Sequence, residues 1–277
     1  MRRRSVRGLY LYCLREQTGT AEPVDVPGVD GEYTVGLIPF RDLEAVVSEV
    51  SVDEFASEEV QRKAREDIDW IKHKSLAHQR VIVESSQVAG RNVCVIPMRF
   101  GTIYKSPDNL KKGLSENYGS MRRLLEELRG KQEWSVKVYL ADRDALDTAV
   151  CRVNRTIREK KEEMERLPEG LAFFMEQEIR EAIARERRRE IQRLCEEVSD
   201  SLPRVASDSR RMGLLGKELT GRSEPMVFNV AYLVHESVLP AFHDAVRKQI
   251  EALSPKGLSL ECTGPLPPFN FSTLEEA

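Results

Sequence analysis

The stretch VIPMRFGTIYKSPDNL, residues 95–110, decides how the first half of the chain is interpreted. It begins as an apolar run typical of a strand, places Arg99 between Met98 and Phe100, and turns at Gly101. Glycine accepts tight backbone bends, and Thr102 suits a local side-chain hydrogen bond. The five donors of an arginine at a strand end can satisfy several carbonyls. We therefore predict that Arg99 anchors the turn, with ligand or partner binding and catalysis as the alternatives.

Helices are predicted on both sides of this stretch. Residues 58–88 carry apolar side chains at helical spacing, on one stripe. That stripe contains Trp70, Ala77, Val81 and Val88. On the other side, Ser106 is a good N-cap and Pro107 suits the first helical position, so a second helix begins there and ends at Gly130.

Three runs rich in β-branched residues precede the first helix and predict strands over residues 6–14, 33–38 and 45–50. We expect these strands to form an antiparallel meander. Together with the helices they predict an N-terminal mixed α+β domain over residues 1–130.

The rest of the chain, residues 131–277, predicts a second α+β domain. Its elements follow the order β-α-α-β-α-β, close to a modified ferredoxin-like sandwich with long helices and one strand missing or irregular. The predicted strands are 133–140, 226–234 and 258–262, and the predicted helices are 143–166, 171–202 and 238–253. Residues 203–224 are polar and contain glycine, so we expect a loop there.

Composition excludes several classes of function. The chain has 277 residues with 43 basic and 46 acidic side chains, a net charge of −3, which argues against general nucleic-acid binding. The longest apolar run, near residues 225–234, is far shorter than the about 20 residues that span a bilayer. Five scattered cysteines suit a reducing cytoplasm. We expect a protein without a membrane segment that is soluble or attached through a partner.

No pattern in the sequence makes a catalytic case. His73 and His78 are five residues apart, so on a helix they point about 140° apart and cannot share one metal ion. A hydrogen-bonding role near the sheet is expected for His78. The stretch RMGLLGKELTG lacks the first glycine of a phosphate loop and has Glu218 after its lysine. We predict no enzyme activity, cofactor or metal.

Several segments resemble one family. VIPMRFGTIYKS, preceded by AHQRVIVES, is similar to a segment of the gas vesicle accessory proteins of the F/L family. Further segments agree in order: YLYCL, VDGEYTVGLIPFRDLEAVVSEV, WSVKVYL, GLAFFMEQEIREA, MVFNVAYLV and CTGPLPPFNF. In the last of these, Leu266, Phe269 and Asn270 depart from the GPWPPYSF pattern of the family, so polar side-chain tips are lost.

The resemblance implies a non-enzymatic role in building the gas vesicle, a hollow protein shell. It implies two α+β domains and a cytoplasmic, vesicle-associated assembly factor or minor structural component. The partners it implies are the very apolar main shell protein and other accessory proteins. The rival function is a ferredoxin-like regulatory protein that binds a small molecule, because that fold hosts many functions.

Two groups of residues are partner-binding or structural candidates. The first is the turn with its neighbouring helix: Arg99, Phe100, Gly101, Thr102 and His78. The second is a proline-rich aromatic tail whose prolines limit its freedom, so that docking costs less entropy. The tail residues are Pro265, Pro267, Pro268 and Phe269. The tail either binds the shell protein or caps the sheet of the second domain.

Overall fold

The computed structural model describes residues 6–19, 25–55 and 57–273, and the fold mixes helices with antiparallel sheets. The chain forms two compact units. Unit 1 combines Met1–Gln132 with Pro265–Ala277, and unit 2 is Glu133–Gly264. The tail thus belongs to unit 1, whereas the sequence assigned it to the second domain. In the described ranges, none of the helices has the length and apolar character needed to span a bilayer.

The main sheet of unit 1 has strand order β2-β3-β1-β6, and β7 also pairs with β1. Its strands are β1 (Arg7–Glu16), β2 (Gly36–Phe40), β3 (Leu43–Ser51), β6 (Val95–Pro97) and β7 (Ile103–Tyr104). A separate small hairpin pairs β4 (Gln87–Val88) with β5 (Arg91–Asn92).

The predicted meander is wrong in its order, because β1 pairs with β3 rather than with β2. The antiparallel register runs from Arg7 opposite Ser51 to Glu16 opposite Leu43. Strand β1 is buried along most of its length, so it takes a central position with neighbours on both sides. Strand β2 contains Pro39, which has no amide proton to donate, and lies at the edge.

The predicted helix over residues 58–88 consists of two shorter helices, α2 (Ser57–Glu66) and α3 (Ile68–Ser85), and a short helix α1 (Val52–Phe55) precedes them. The break follows from Asp67, whose carboxylate accepts a hydrogen bond of 3.0 Å from the amide of Trp70 and caps α3. Val88 lies in β4 and not on the predicted helical stripe.

Helix α4 (Pro107–Leu128) confirms the start predicted from Ser106 and Pro107. The Ser106 hydroxyl accepts a hydrogen bond of 3.2 Å from the amide of Asn109. The helix covers one face of the sheet, where Leu114 packs with Leu11. The opposite face carries Tyr10 and packs against the side chains of α3.

Unit 2 contains a four-stranded sheet with order β11-β8-β10-β9. Its strands are β8 (Lys131–Leu140), β9 (Asp208–Arg211), β10 (Met226–His235) and β11 (Leu258–Leu266). Its helices are α5 (Arg143–Val153), α6 (Arg155–Met164), α7 (Glu169–Ser201), α8 (Lys217–Thr220) and α9 (Leu239–Leu253). Helix α7 is about 50 Å long at 1.5 Å per residue.

Two predictions for unit 2 need correction. The region 203–224, predicted as a loop, contains the edge strand β9, whose four residues are polar and exposed and therefore lack the apolar alternation of a strand. The single helix predicted over 143–166 is broken at Asn154, whose side chain accepts a hydrogen bond of 3.0 Å from the amide of Ile157 and starts α6.

Candidate functional site

The turn predicted at Arg99–Thr102 is a tight backbone bend. Gly101 has φ of 82°, in the left-handed region that glycine occupies without steric cost. The Arg99 carbonyl accepts two hydrogen bonds from Thr102, one of 3.2 Å from the amide and one of 2.7 Å from the hydroxyl. The bend at Gly101 and the local hydrogen bond of Thr102 are both confirmed.

A buried tyrosine holds this turn from below. The Tyr10 hydroxyl accepts a hydrogen bond of 2.9 Å from the amide of Gly101 and lies 3.0 Å from Nδ1 of His78. Burial lowers the pKa of His78 to about 4, and a hydrogen bond to the backbone of Met98 opposes this shift. The ring is therefore neutral at pH 7, and its predicted hydrogen-bonding role beside the sheet is confirmed.

Phe100 belongs to the aromatic core of unit 1. Its ring centroid lies 5.7 Å from His78, 6.2 Å from Tyr10 and 6.4 Å from Phe55. Such edge-on and tilted contacts stabilise a pair beyond the area it buries. Phe100 thus fixes the turn to the core.

Arg99 does not anchor the turn as predicted. Its side chain is exposed, and no hydrogen bond or ion pair joins its guanidinium to any residue in the described ranges. The hydroxyl of Tyr10 holds the turn, which is the role that the prediction assigned to Arg99. The stretch YLYCL offered a hint, because a buried tyrosine usually finds a hydrogen-bond partner for its hydroxyl.

A surface groove of about 240 Å³ lies beside Arg99. Its apolar lining consists of Leu11, Met98, Tyr104 and Met121, with Pro97 nearby. Its polar lining consists of Arg99, Thr102 and Asn117 together with Ser272 and Thr273 of the tail. The structure thus brings the turn and the tail together, although the sequence placed them in different domains.

The tail packs against unit 1. Phe271 is 5% exposed, and Phe269 packs against the core that contains Tyr10. The Ser272 hydroxyl donates a hydrogen bond of 3.2 Å to the Pro97 carbonyl. The prediction that the tail caps the sheet of the second domain is therefore wrong for residues 267–273. Deleting the tail would remove core contacts as well as any docking surface.

The prolines of the tail line a second, smaller cavity of unit 1. Pro265, Pro267 and Pro268 line a cavity of about 70 Å³ together with residues of β4, β5 and β6. This volume holds little more than a few side-chain atoms. The prolines shape the path of the tail along unit 1.

The sequence analysis missed a buried ion pair. Arg15 and Glu44 are 1% and 7% exposed, and Arg15 Nε donates a hydrogen bond of 2.6 Å to Glu44 Oε1. A second guanidinium nitrogen of Arg15 donates a hydrogen bond of 2.7 Å to the carbonyl of Ser85. Nothing in the local pattern separates these side chains from the exposed charges of an ordinary strand. The pair ties β1, β3 and α3 together.

Within the described ranges, no group of three or more His, Cys, Asp or Glu side chains is arranged to hold a metal ion. The five cysteines are free thiols. Burial raises the pKa of the thiols of Cys94, Cys195 and Cys262 to about 11, so they are protonated at neutral pH. Since thiolates are the reactive form, these groups pack as small apolar side chains.

Comparisons with known proteins agree on one family. The family model "Gas vesicle synthesis protein GvpL/GvpF" matches residues 8–273. The gas vesicle protein L of Streptomyces sp. (strain CB03234) is 26% identical over 273 residues, which cover 96% of this chain and 93% of that protein. The gas vesicle protein F1 of Halobacterium salinarum is 25% identical over 263 residues, covering 95% and 92%.

Two solved structures share the fold. The crystal structure of GvpF from Anabaena sp. PCC7120 superposes with a TM-score of 0.67 at 17% identity, covering 98% of each chain. The crystal structure of GvpF from Microcystis aeruginosa superposes with a TM-score of 0.64 at 17% identity, covering 96% of this chain and 99% of that chain.

Proposed function

Because the chain belongs to the gas vesicle synthesis protein GvpL/GvpF family, we propose that it is a non-enzymatic gas vesicle assembly factor or minor structural component. It binds the apolar main shell protein and other accessory proteins in the cytoplasm. A shell that keeps its interior dry needs subunits with large apolar surfaces, and such surfaces aggregate unless they are covered. A protein that covers them needs apolar surface of its own.

The fold of the second unit is part of this proposal. Numbered along unit 2, its strands lie in the order fourth, first, third, second, with the polar strand β9 supplying the member that the sequence left open. This order supports two domains, of which the second is a modified ferredoxin-like sandwich. That fold hosts many functions, so function is argued from surface chemistry.

The observation that carries the proposal is the exposed guanidinium of Arg99, which has no ion-pair partner among the described residues, in a groove whose other wall is apolar. The turn that bears it is held by the Tyr10 hydroxyl and by Thr102, so the backbone is fixed before a partner arrives. Fixing a contact residue in advance lowers the entropy cost of binding. The groove suits an apolar segment with a carboxylate next to it.

The groove is smaller than the sites that bury drug-sized ligands. Its volume of about 240 Å³ lies below the roughly 300–1,000 Å³ of sites that bury drug-sized ligands. A few apolar side chains of a protein partner would fill it. This size favours the assembly role over the small-molecule regulator for this site.

Reversing the charge of Arg99 tests the proposal. We expect Arg99→Glu to weaken capture of the co-expressed main shell protein about tenfold or more, because a carboxylate partner would then be repelled. Stability should change by less than about 0.5 kcal/mol, since the side chain is exposed. Quantitative pull-down of the full chain and thermal melting measure both.

Arg91→Glu is the matched control, because Arg91 is also an exposed arginine of unit 1 but does not line the groove. It should bind as wild type does. If Arg99→Glu melts early and binds normally, the arginine is a structural anchor after all and the groove is not the contact surface.

A further inference from the structure

Unit 2 has a groove of its own between helix α7 and the β9 edge of its sheet. The volume of this α7–β9 groove is about 460 Å³. Its apolar lining comes from α7, from β10 and from the residues that follow β9, namely Ile191, Val227, Phe228, Met212 and Leu214. None of them lines the groove beside Arg99, so the two surfaces are separate.

The wall that follows β9 is held in place by hydrogen bonds. The amide of Met212 donates a hydrogen bond of 2.9 Å to the Asn229 carbonyl, and the Asn229 side chain donates one of 2.8 Å to the carbonyl of Gly213. The side chains of Met212 and Leu214 are nevertheless 36% and 60% exposed. An apolar wall on a fixed backbone lowers the entropy cost of binding a ligand.

Two arginines also line the α7–β9 groove, Arg188 of α7 and Arg211 of β9. None of the described residues forms a hydrogen bond or an ion pair with either guanidinium. The other arginines of α7 differ, because each pairs with a carboxylate: Arg180, Arg185, Arg187, Arg189 and Arg193. The groove therefore holds two cations whose charge the fold does not use.

The charge of Arg211 is felt on the opposite wall. Burial raises the pKa of the Cys195 thiol of α7 to about 11, and the charge of Arg211 opposes this shift. Among the lining residues the carboxylate is that of Glu196, which accepts a hydrogen bond of 2.9 Å from Gln192. Two arginines against one glutamate leave the lining with a net charge of +1. The groove thus suits an anion that has an apolar body.

Charge and volume together limit the occupant of the α7–β9 groove. A symmetric contact between two copies would set the same patch against itself and bring the two arginines towards their own copies, which is repulsive. The volume lies within the roughly 300–1,000 Å³ of small-molecule sites. At about 30 Å³ per non-hydrogen atom, the size of a water molecule, it has room for roughly 15 such atoms.

We propose that the α7–β9 groove binds a small organic acid, whose apolar body lies on Phe228 and Leu214 and whose carboxylate is attracted by Arg188 and Arg211. Guanidinium and carboxylate form strong, charge-assisted hydrogen bonds. The inference goes beyond the proposed function and does not depend on it, because neither the shell protein nor Arg99 takes part.

The test titrates the full chain with decanoate below its micelle concentration and follows the heat of binding. We expect one saturable site in the wild type and binding weakened about tenfold or more in Arg188→Gln/Arg211→Gln, because the charged contacts are lost. Arg204→Gln is the matched control, since Arg204 is an exposed arginine of unit 2 outside this groove. Melting should be unchanged for all three proteins.

A second pair of variants tests the apolar wall. Leu214→Ser should weaken decanoate binding about threefold or more, because part of the apolar contact is removed. Leu219→Ser should bind as wild type does, since Leu219 is also 60% exposed but does not line the groove.

Three results would overturn the inference. Equal binding of decanoate by the wild type and the double arginine variant would mean that the arginines do not select the ligand. Equal binding of decyltrimethylammonium, which has the same chain and the opposite charge, would reduce the groove to an unspecific apolar surface. If an acidic amphipathic peptide binds through Arg188 and Arg211 while decanoate does not, the groove is a protein-docking surface instead.

Discussion

The two units differ in where their ion pairs lie. Unit 1 buries the pair of Arg15 with Glu44, and it also buries the Tyr12 hydroxyl, which lies 2.8 Å from Ser48 Oγ and accepts a hydrogen bond of 2.7 Å from the amide of Val29. The main core of unit 2 is built from apolar and aromatic side chains, and its long helix α7 carries ion pairs on the outside.

This difference predicts which substitutions destabilise each unit most. A buried charge that loses its partner keeps its full desolvation cost, so unit 1 depends on every member of its polar network. An exposed ion pair is screened by water and gains little. The exposed charges of α7 are therefore replaceable one at a time, whereas the buried Arg15–Glu44 pair of the unit 1 sheet is not.

Each unit carries its own fluorescent reporter for testing this contrast. The chain has two tryptophans, Trp70 in unit 1 and Trp134 in unit 2. In a Trp134→Phe background the emission reports on unit 1, and in a Trp70→Phe background it reports on unit 2. Urea unfolding followed in the two backgrounds separates the units.

The largest effect is expected at the buried ion pair. Glu44→Gln should reduce the free energy of unfolding of unit 1 by about 3–5 kcal/mol, because it leaves the Arg15 guanidinium buried without a counter-charge. The measurement is the urea midpoint of Trp70 emission. Arg15→Met combined with Glu44→Leu should recover most of the loss, since replacing both partners removes the uncompensated charge. A mild single variant would mean that water reaches the pair.

A smaller effect is expected from acid, again in unit 1. The folded state keeps His78 neutral with a pKa of about 4, while an unfolded histidine titrates near 6.5. Protonation thus favours unfolding as the pH falls from about 6.5 to about 4, at a total cost of about 3 kcal/mol. The stability that His78 contributes is present above pH 6.5 and is lost across this window.

Urea unfolding at several pH values checks this expectation. His78→Gln should flatten the part of the slope between pH 6.5 and 4 that Trp70 reports, whatever its effect on stability at pH 7. An unchanged slope in the variant would assign the acid sensitivity of unit 1 to its carboxylates instead.

The smallest effect is expected on the outside of unit 2. Arg193 of α7 pairs with Glu190 at 2.6 Å and also with Glu197, yet its side chain is 49% exposed. Arg193→Ala should cost less than about 1 kcal/mol, because exposed pairs of this kind gain little. Trp134 emission provides the measurement. A loss as large as that of Glu44→Gln would show that the surface charges of unit 2 act as one coupled network.

Local patterns predicted local structure well. Ser106 and Pro107 predicted the start of α4, and Gly101 predicted the bend that precedes it. Both predictions succeeded because capping and backbone bends depend on neighbouring residues. The hydrogen bond of His78 was also expected from its position on a helix beside a sheet.

Features that depend on distant partners were missed. The exposure of Arg99 follows from Tyr10, which lies far away in the sequence and takes over the support of the turn. The pairing of Arg15 with Glu44 joins two strands whose order was predicted wrongly. Strand β9 is held by its pairing with β10, although its own residues are polar. Sequence spacing carries no record of such partners.

The path of the chain constrains the order in which its two units can fold. Unit 1 is interrupted by all of Glu133–Gly264, and its core is completed by Phe269 and Phe271. At about 5–20 residues per second, a ribosome needs roughly 7–26 seconds to make the intervening segment. During that interval the nascent N-terminal sheet lacks its last aromatic side chains. Unit 2 is therefore available to fold before the unit that precedes it is complete.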